Sequence, residues 1–538
     1  MMISKLKAIL LSIQLFSALI IQTPLRPYQV EPANAVIDSC LHNKGLEFLW
    51  IFPRQSGKDE TIAQLEVFLL TLFQRCDANI VHVYPTQQQI TTGLTRLIRR
   101  LDNPMTAHHY RQHHQPTRVT LGRAACTFFS GHPQARAEGA TANLLLIINE
   151  TQDQDETIIE RRFIPMRAST NATALFVGTV RTTTDYLWRT RQRLEQLTTH
   201  DGIQRVYAIT PDHVGRDNPH YAAFVQSQIQ LKGRHHPSIK TELFCEPLDT
   251  NAGLFPPRRI ALMTGSHQRQ RSPLPLQGEG PGAGVYIATL DVAGQDEAAT
   301  EGIFTTLQNP TRDYTVCTIF EATPGDLGPT YKAVDLFIDQ GSRHFQTTPG
   351  QPPLFERLLA YLNHWQPIAL IADASGVGQG ITDALIKAWP RQIIPFDFAK
   401  CHNKAQLGNN FIALIETGRF KYWNPELPLS TEWRGGRGGE VHQTDGPDLD
   451  AWHFFEQCRF CAYELAAGLP IERGLKWGVS PHATTTTPDG HTIHVHDDRL
   501  LSAALIAEAD RLHREGKLFL GTTQSAVIKR SLQGGNWS

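Results

Sequence analysis

The chain has 538 residues, of which 41% are hydrophobic and 19% are charged. At about 150 residues per domain this length predicts roughly three to four domains or two large ones, and the apolar fraction excludes a mainly disordered chain. The 51 Lys and Arg residues nearly balance the 52 Asp and Glu residues, so any nucleic-acid site must be a local patch. The eight cysteines are too sparse for a disulfide framework and favour a reducing compartment.

Residues 1–24 form an N-terminal apolar segment. Lys5 and Lys7 precede an apolar run from Ala8 to Ile21, and Ala33-Asn34-Ala35 has the form of a signal-peptidase site. The run is shorter than the roughly 20 residues that span a bilayer, and polar side chains interrupt it. We therefore predict a buried N-terminal helix or strand and no membrane partner, with a secretory signal as the alternative.

Short apolar runs alternate with helical patterns over residues 25–263. The predicted buried strands are Phe48–Phe52, Ile80–Tyr84, Cys126–Phe129, Leu144–Ile148 and Ala174–Val177. Between the first two, residues 59–76 carry apolar side chains at helical spacing. This alternation predicts an α/β domain with a largely parallel sheet.

Residues 264–284 interrupt the alternation. Eight of these 21 residues are Gly or Pro, a composition that predicts a flexible linker. A second alternating series fills residues 285–515, and residues 516–538 form a tail. The predicted elements of residues 285–515 are the strands Val285–Leu290, Tyr314–Phe320, Tyr331–Phe337, Ile368–Ala372 and Thr492–Val495 and a last helix from about Leu500 to His513. This order predicts a mixed sheet.

The strongest local motif runs from Phe52 to Asp59, between a predicted strand and a predicted helix. In such a loop the backbone N–H groups and the helix N-terminus bind phosphate, and a lysine reaches the β- and γ-phosphate oxygens. Gly57 and Lys58 match the core of the pattern G-x-x-x-x-G-K-[ST]. Phe52 stands in place of the first Gly, and Asp59 in place of Ser or Thr. The alternative is a polar turn with a lysine in the first helical turn.

A second motif, Asn149-Glu150, follows the predicted strand Leu144–Ile148. A nucleotide hydrolase needs an acid at such a strand end to hold Mg²⁺ and a neighbouring Glu to orient the attacking water. Because Asn149 stands where the metal-holding acid is usual, the sequence predicts slow hydrolysis, a high Mg²⁺ requirement and a gain in rate for Asn149→Asp. The alternative is that Asn149 caps a turn and Glu150 is solvated. Gly178-Thr179, after the strand Ala174–Val177, is either a third motif or an ordinary strand exit.

Acidic residues follow the predicted strands of the second half. Asp291 ends one strand, Asp373 ends another, and Asp497 and Asp498 open the final helix. Carboxylates gathered in this way can hold two divalent metal ions about 3.5–4 Å apart, which activate a water and stabilise the leaving oxygen of a phosphodiester. Acids at helix N-termini are also common caps, which is the alternative for Asp498.

The order of these motifs resembles that of tailed-phage terminase large subunits, in which an ATPase motor precedes a nuclease domain. The resemblance covers roughly residues 25 to 515 and implies an α/β fold, with a P-loop NTPase domain followed by a ribonuclease-H-like mixed-sheet domain. The residues that carry it are Tyr28-Gln29, Arg54 to Glu60, Glu138-Gly139, Asn149-Glu150, Gly178-Thr179, Asp291, Asp373 and Asp498.

The resemblance implies a role for each matching residue. In the motor, the implied ATP-binding residues are Gln29 at the adenine, Arg54 as the γ-phosphate sensor, Gln55, Ser56, Gly57 and Lys58 at the phosphates, Asp59 near the metal and Thr179 as the link to DNA movement. Glu150 would be the catalytic carboxylate. In the nuclease, the implied ligands of two Mg²⁺ or Mn²⁺ ions are Asp291, Asp373, Asp498 and Asp497, with Asp296 in support.

The resemblance therefore implies ATP-driven translocation of double-stranded DNA into procapsids and metal-dependent cutting of concatemeric DNA, in the host cytoplasm and not as part of the finished virion. The implied partners are DNA, a portal protein and a terminase small subunit, with a homo-oligomeric ring at the portal. Two alternatives stay open. One is a ribonuclease-H-like recombinase or transposase with a P-loop domain, and the other is a prophage remnant that docks on a portal without hydrolysing ATP.

Two further groups of residues could bind a metal or DNA. Cys458 and Cys461 lie in a helical pattern without a second cysteine pair, so we predict core positions. A predicted surface loop and its surroundings carry His108, His109, His113, His114, Arg96, Arg99, Arg100 and Arg111. This basic set predicts either contacts with DNA phosphates or a solvated face.

Overall fold

The computed structural model describes residues 2–134, 140–249, 253–273, 285–294, 313–347, 351–400, 402–425, 448–466 and 469–520, with side chains from residue 6 onward. Glu138, Gly139 and Asp296 lie outside these ranges, as do residues 274–284 of the predicted linker and 521–538 of the predicted tail. The chain divides into two compact units, the first made of residues 1–228 and 237–249 and the second of residues 229–236 and 250–538.

The first unit contains an eight-stranded sheet. Its strands are β1 Glu47–Ile51, β2 Asn79–Tyr84, β3 Tyr110–His114, β4 Thr117–Leu121, β5 Ala124–Ser130, β6 Leu145–Ile148, β7 Thr173–Gly178 and β8 Val206–Ala208. They lie in the order β3-β4-β5-β2-β6-β7-β1-β8. The six strands β5, β2, β6, β7, β1 and β8 are parallel, whereas β4 is antiparallel to both β5 and β3. All five strands predicted here are confirmed, because buried apolar runs are a strong signal for the central strands of a parallel sheet.

Strands β3 and β4 form an antiparallel hairpin at the edge of this sheet. The sequence predicted a surface loop over the histidines of β3, and that prediction was wrong. Four of the five residues of β3 are exposed, so the strand has no alternation of apolar and polar residues from which it could be recognised. Charged and polar side chains are common on edge strands, where they discourage pairing with other chains.

Helices cover the faces of this sheet. They are α1 Met2–Leu10, α2 Ile13–Leu19, α3 Pro27–Leu41, α4 Lys58–Phe73, α5 Gln87–Leu101, α6 Glu156–Ile158, α7 Tyr186–Asp201, α8 Pro211–Asp217 and α9 Pro219–Lys232, the last of which ends in the second unit. Phe16 of α2 packs edge to face on Phe68 of α4, with ring centroids 5.2 Å apart. The N-terminal apolar segment is helical, but its predicted burial holds for one face alone: Ile13, Phe16 and Ile21 are buried, whereas Leu11, Leu15 and Leu19 are exposed. Within the described ranges, no helix is both long and apolar enough to cross a membrane.

The second unit is built on a six-stranded sheet in the order β13-β12-β9-β10-β11-β14. Its strands are β9 Val285–Asp291, β10 Thr315–Thr323, β11 Thr330–Asp339, β12 Ala369–Asp373, β13 Gln392–Phe396 and β14 Phe420–Lys421. β9, β10 and β11 are antiparallel, whereas β12 and β13 continue the sheet in parallel beyond β9. The predicted mixed sheet of ribonuclease-H-like type is confirmed, and with it the two-part α/β fold class.

The remaining elements of the second unit surround this sheet. They are α10 Pro257–Met263, α11 Leu354–Trp365, α12 Gly378–Ala388, α13 Asn403–Glu416, α14 Leu449–Phe460, β15 Cys461–Leu465, α15 Ile471–Gly474, β16 Leu475–Val479, β17 Thr484–Thr486, β18 Thr492–His494, α16 Asp498–Ala504 and α17 Ile506–Arg514. The predicted strand at Thr492 exists, and within the described ranges its partner is β17 in a separate two-stranded sheet. The predicted last helix is divided in two at Leu505. Cys458 and Cys461 are both buried, as predicted, although Cys461 begins a strand.

Residues 253–273 belong to the second unit, so the predicted boundary at residue 263 and the predicted flexible linker from residue 264 were both misplaced. The N–H of Gly265 donates to the carbonyl of Tyr422 at 2.7 Å. The Arg269 guanidinium contacts Asp335 and Asp450, each at 2.7 Å. The segment looks like a polar linker in the sequence because its charged partners lie far along the chain.

Candidate functional sites

The loop over residues 52–57 joins the end of β1 to the start of α4 in the first unit. Lys58 is the first residue of α4, and Gly57 precedes it with a φ of +89°. A Cβ at Gly57 would lie 2.6 Å from Nε2 of Gln29, so both the backbone conformation and the space favour glycine. The tight turn at Gly57 and the helix start at Lys58 therefore match the type of loop that binds phosphate through backbone N–H groups.

The first residues of α3 support this loop from behind. The Tyr28 hydroxyl donates to the carbonyl of Ser56 at 2.6 Å, and Gln29 Nε2 donates to the carbonyl of Gly57 at 3.2 Å. Oε1 of Gln29 accepts from the N–H of Arg26 at 2.9 Å. Gln29 is 4% exposed, so the structure places it as a support of the loop, and its contact with adenine stays a prediction.

Two other predicted residues of the loop bind protein groups. The Ser56 hydroxyl is buried and donates to the carbonyl of Pro53 at 2.6 Å. The Arg54 guanidinium is largely exposed and contacts the Glu242 carboxylate at 2.8 Å. Gln55 has a φ of 64°, a left-handed conformation that sharpens the turn. Arg54 is therefore a charged side chain of this loop that stays open to solvent.

Lys58 forms an ion pair with Glu150. Its Nζ lies 2.5 Å from Oε1 of Glu150, and both side chains are largely buried. Burial acts to lower the pKa of Lys58, but the nearby carboxylates of Glu150 and Asp59 outweigh it and raise this pKa. The predicted phosphate-binding lysine and the predicted catalytic carboxylate are thus brought together, although 92 residues separate them in the chain.

The pairing of strands explains why these motifs meet. β7 lies between β1 and β6, with Ile51 paired to Gly178 and Ile148 paired to Phe176. Because the three strands are parallel, their carboxyl ends share one edge of the sheet, where ligands bind in open α/β sheets. The loop over residues 52–57 and Asn149-Glu150 follow strands that end at this edge, and Gly178-Thr179 lies at the end of β7 on the same edge.

Gln152 links two of these motifs and was missed by the sequence analysis. Its Nε2 donates to Oε2 of Glu150 at 2.7 Å, and its Oε1 accepts from the N–H of Thr179 at 3.1 Å. A Cβ at Gly178 would lie 2.1 Å from Oε1 of Gln152, so this contact requires glycine there. The only signal in the sequence was the position of Gln152, two residues after Glu150.

Asp59 and Asn149, the two departures from the usual motifs, are in contact. Nδ2 of Asn149 donates to Oδ1 of Asp59 at 3.3 Å, and the Arg96 guanidinium lies 3.3 Å from Oδ2 of Asp59. Burial acts to raise the pKa of Asp59, but Lys58, Arg96 and the Asn149 amide hold it below its ordinary value. Asp59 is therefore ionised. Carboxylate and amide oxygens are the ligand types that Mg²⁺ takes, so the residues present fit this ion.

The second site lies in the second unit, where the structure brings the predicted acids together. Asp291 ends β9 and Asp373 ends β12, and these strands are parallel neighbours with Leu290 paired to Ala372. Asp498 is the first residue of α16, and Ser502 of this helix contacts both β10 and β9. The Ser502 hydroxyl lies 2.9 Å from the hydroxyl of Thr318 on β10 and donates to the carbonyl of Thr289 on β9 at 3.3 Å. All three carboxylates are buried.

The negative charges of these acids lie close together in a buried place, and burial outweighs the hydrogen bonds that would stabilise them. Burial, with the charges of Asp498 and Asp373, raises the pKa of Asp291 well above its ordinary value. Burial also raises the pKa of Asp498 to about 7, although the N–H of Tyr314 donates to its Oδ2 at 3.0 Å. The pKa of Asp373 is raised by burial as well. A bound divalent cation removes such a penalty because it favours the ionised carboxylates, so the donor set fits Mg²⁺ or Mn²⁺.

Further polar groups surround this acidic site. Asp497 precedes α16, and its carboxylate lies 3.8 Å from Nζ of Lys404. Two residues that the sequence analysis missed are Asp313 and His496, whose side chains are joined at 2.9 Å. Together with Asp498 they offer three ligand atoms within 4.8 Å of one another. The sequence signal was their position, with Asp313 two residues before β10 and His496 directly before Asp497.

No protein-family model and no curated protein matches the chain. Among solved structures, it is similar to the large terminase of a thermophilic bacteriophage, with 11% identity, a TM-score of 0.39 and coverage of 90% of this chain and 99% of that one. It is similar to the large terminase of bacteriophage HK97, with 11% identity, a TM-score of 0.34 and coverage of 90% and 96%. The large terminase nuclease of the thermophilic phage G20c, with bound magnesium, has 16% identity and a TM-score of 0.29 and covers 48% of this chain and 96% of that one. These are structures of the family that the sequence motifs resemble.

Proposed function

We propose that this chain is a viral or prophage terminase large subunit, which moves double-stranded DNA into procapsids with energy from ATP and cuts concatemeric DNA with a metal-dependent nuclease. The observation that carries the proposal is the presence of two separate sites for phosphate chemistry in one chain. The first unit pairs a phosphate-type loop after β1 with an acid after β6, two strands away in the sheet, and the second unit gathers buried carboxylates at the ends of neighbouring strands.

In the first unit, the loop would bind the phosphates of ATP through the N–H groups at the start of α4. Lys58 would turn from Glu150 toward the β- and γ-phosphate oxygens, because these offer more negative charge than one carboxylate. Glu150 would then be released to orient the attacking water, with Gln152 holding its second oxygen. A bound Mg²⁺ would neutralise charge on the phosphates. Since Gln152 also accepts from the N–H of Thr179, a movement of the Glu150 carboxylate would be passed through Gln152 to Thr179 at the end of β7.

In the second unit, Asp291, Asp373 and Asp498 would hold two divalent ions, with Asp497 in support. The ions would supply an activated water and stabilise the leaving oxygen of the DNA backbone. The chain's own contribution is to fix the three carboxylates at neighbouring strand ends and a helix start. The resulting burial keeps them short of counter-charge until the ions bind.

The test is a pair of assays on the full chain. Phosphate release from ATP is measured for the wild type and Lys58→Ala, with Lys44→Ala as a matched surface control, and plasmid cleavage in Mn²⁺ is measured for the wild type and Asp291→Asn. We expect Lys58→Ala to remove phosphate release but leave cleavage, and Asp291→Asn to do the reverse. Cleavage without any phosphate release by the wild type would favour the remnant without ATPase activity, and strand transfer in place of cleavage would favour a recombinase.

The partners of this proposal require a third assay. Wild-type chain, small subunit, ATP and portal-bearing procapsids are mixed with linear DNA, and the fraction of DNA that becomes protected from added nuclease is measured. Protection that requires both ATP and the portal supports translocation by a ring docked on the portal in the host cytoplasm. ATP hydrolysis and cleavage without protection would contradict the packaging role while leaving both enzyme activities in place.

A further inference from the structure

The end of β6 and the start of α4 depart from the usual nucleotide-hydrolase motifs in opposite senses. In the usual pattern the residue after the loop lysine is a neutral Ser or Thr, and the residue at the strand end is an acid. Here the first position is Asp59 and the second is Asn149. Each arrangement has one carboxylate and one neutral polar group, so the total charge of the pair is the same.

We propose that the two positions have exchanged roles, so that Asp59 is the carboxylate that holds the metal ion of the bound nucleotide and Asn149 is its neutral partner. The inference rests on the proposed ATPase function. It assigns a ligand that the motif pattern does not predict, because in that pattern the charged ligand comes from the strand and not from the helix.

The contact between the two side chains supports the exchange. Nδ2 of Asn149 lies 3.3 Å from Oδ1 of Asp59, although the residues are 90 positions apart. The two positions therefore share one place beside the phosphate loop, and a charge moved from one to the other remains beside the same ion. Asp59 also directly follows Lys58, the proposed phosphate-binding residue.

The surroundings of Asn149 favour an amide over a carboxylate. Asn149 is 1% exposed, and its Oδ1 accepts from the N–H of Glu150 at 3.0 Å while its Nδ2 donates to Asp59. A carboxylate at this position could accept the first hydrogen bond but could not donate the second. It would also place a buried negative charge in contact with the Asp59 carboxylate, and two carboxylates so close do not both ionise readily.

Arg96 positions the proposed ligand. Its guanidinium lies 3.3 Å from Oδ2 of Asp59, which leaves Oδ1 with the Asn149 amide. The ion would replace one of these two contacts. The exchange therefore reverses the expectation drawn from the sequence: Asn149→Asp should weaken metal binding rather than improve it.

The experiment measures ADP binding by calorimetry in EDTA and across a Mg²⁺ titration, and Mn²⁺ binding to the ADP complex by electron paramagnetic resonance. The proteins are the wild type, Asp59→Asn, Asp59→Thr, Asn149→Asp and the double variant Asp59→Thr with Asn149→Asp. Glu60→Gln is the matched control, because Glu60 is the next acid on α4 and pairs with Arg100 instead. Circular dichroism and thermal melting verify folding, and Asp59→Thr serves if Asp59→Asn does not fold.

We expect both single variants of Asp59 to weaken metal binding about 10- to 100-fold, the scale on which metal sites respond to lost supporting groups, with ADP affinity in EDTA nearly unchanged. Asn149→Asp alone should also weaken it, and the double variant should recover most of the loss because the usual pattern is restored. Glu60→Gln should behave as the wild type.

Two results overturn the inference, and a third is separate from it. Wild-type metal affinity in the Asp59 variants would show that Asp59 is not a ligand. Tighter metal binding by Asn149→Asp alone would show that the strand end is the metal position and that Asp59 is an unrelated polar group. If the wild type binds no ADP with or without Mg²⁺, the proposed function itself is wrong and this inference falls with it.

Discussion

The two candidate sites differ in how their charges are balanced. In the first unit the charged groups of the candidate site form ion pairs. Lys58 pairs with Glu150, Arg96 with Asp59 and Arg181 with Asp153. In the second unit Asp291, Asp373 and Asp498 lie together with raised pKa values, whereas the Lys404 ammonium contacts Asp497.

The difference in charge balance sets what each site requires from its ligand. A site whose charges are already paired must break a pair when an anionic ligand arrives, so binding and rearrangement are coupled. A site with unbalanced carboxylates is stabilised directly when cations bind. The comparison predicts a rearrangement on nucleotide binding in the first unit and a gain in stability on metal binding in the second.

The largest expected effect concerns Glu150. Glu150→Gln should lower phosphate release by about 10²- to 10⁴-fold, the usual contribution of a positioned acid or base, because an amide orients the attacking water poorly. ADP binding should be at least as tight as in the wild type, since Lys58 no longer has to leave a charged partner. Steady-state phosphate release and calorimetry give the two numbers, with Glu195→Gln on the exposed face of α7 as the control. Normal turnover by Glu150→Gln would mean that another residue orients the water.

A second large effect concerns the acidic site. Asp373→Asn should lower plasmid cleavage in Mg²⁺ or Mn²⁺ by about a hundredfold or more, because one proposed ligand of the two metal ions is lost. Phosphate release from ATP should not change. The control is Asp383→Asn, an exposed acid on α12 of the same unit. Cleavage by Asp373→Asn at the wild-type rate would place the nuclease chemistry elsewhere.

A smaller effect concerns Gln152, which sharpens the comparison by testing how the paired site is held. Gln152→Ala removes both the hydrogen bond to Glu150 and the one from Thr179, and we expect phosphate release to fall about tenfold, as for other supporting groups. ADP affinity should remain unchanged, and Gln152→Glu should not restore the rate because its charge repels Glu150. Gln196→Ala on α7 is the control. A fall in ADP affinity with unchanged turnover would assign Gln152 to nucleotide binding instead.

The smallest expected effect is a pH dependence of stability in the second unit. The pKa of Asp498 is about 7 in the folded protein against about 3.9 in an unfolded chain, so the protonated form is favoured by folding. Its contribution is complete below pH about 4 and is lost as the pH rises through about 7. In EDTA the melting temperature should therefore fall between these pH values, by about 2–4 °C for each kcal/mol lost.

Metal ions and a variant test the cause of this fall. Mg²⁺ or Mn²⁺ should restore the melting temperature at pH 8, because the ions bind the ionised carboxylates. Asp498→Asn should raise the melting temperature at pH 8 in EDTA and lose most of the gain from metal, whereas Asp383→Asn should follow the wild type. A melting temperature in EDTA that rises with pH over this range would contradict the raised pKa.

Several features could be predicted from the sequence because they depend on local patterns. Buried apolar runs identified the central strands of both sheets, and Gly57-Lys58 between a strand and a helix predicted the candidate phosphate loop. Acids at the ends of β9 and β12 predicted the second candidate site, because the carboxyl ends of parallel neighbours meet at one edge. These inferences needed only the periodicity of side chains and the direction of strands.

Other features were decided by the tertiary structure, because they join residues whose distance depends on the order of strands in the sheets. The contact of Asp59 with Asn149 spans 90 positions and that of Asp313 with His496 spans 183, and no local pattern encodes either. The same reason explains the edge hairpin, whose exposed residues lack an apolar period, and the segment around Arg269, whose charges are neutralised by Asp335 and Asp450. The residue types and their order in the chain were enough to predict the candidate residues for phosphate and metal chemistry, whereas strand order and packing set which of their charged side chains lie in contact.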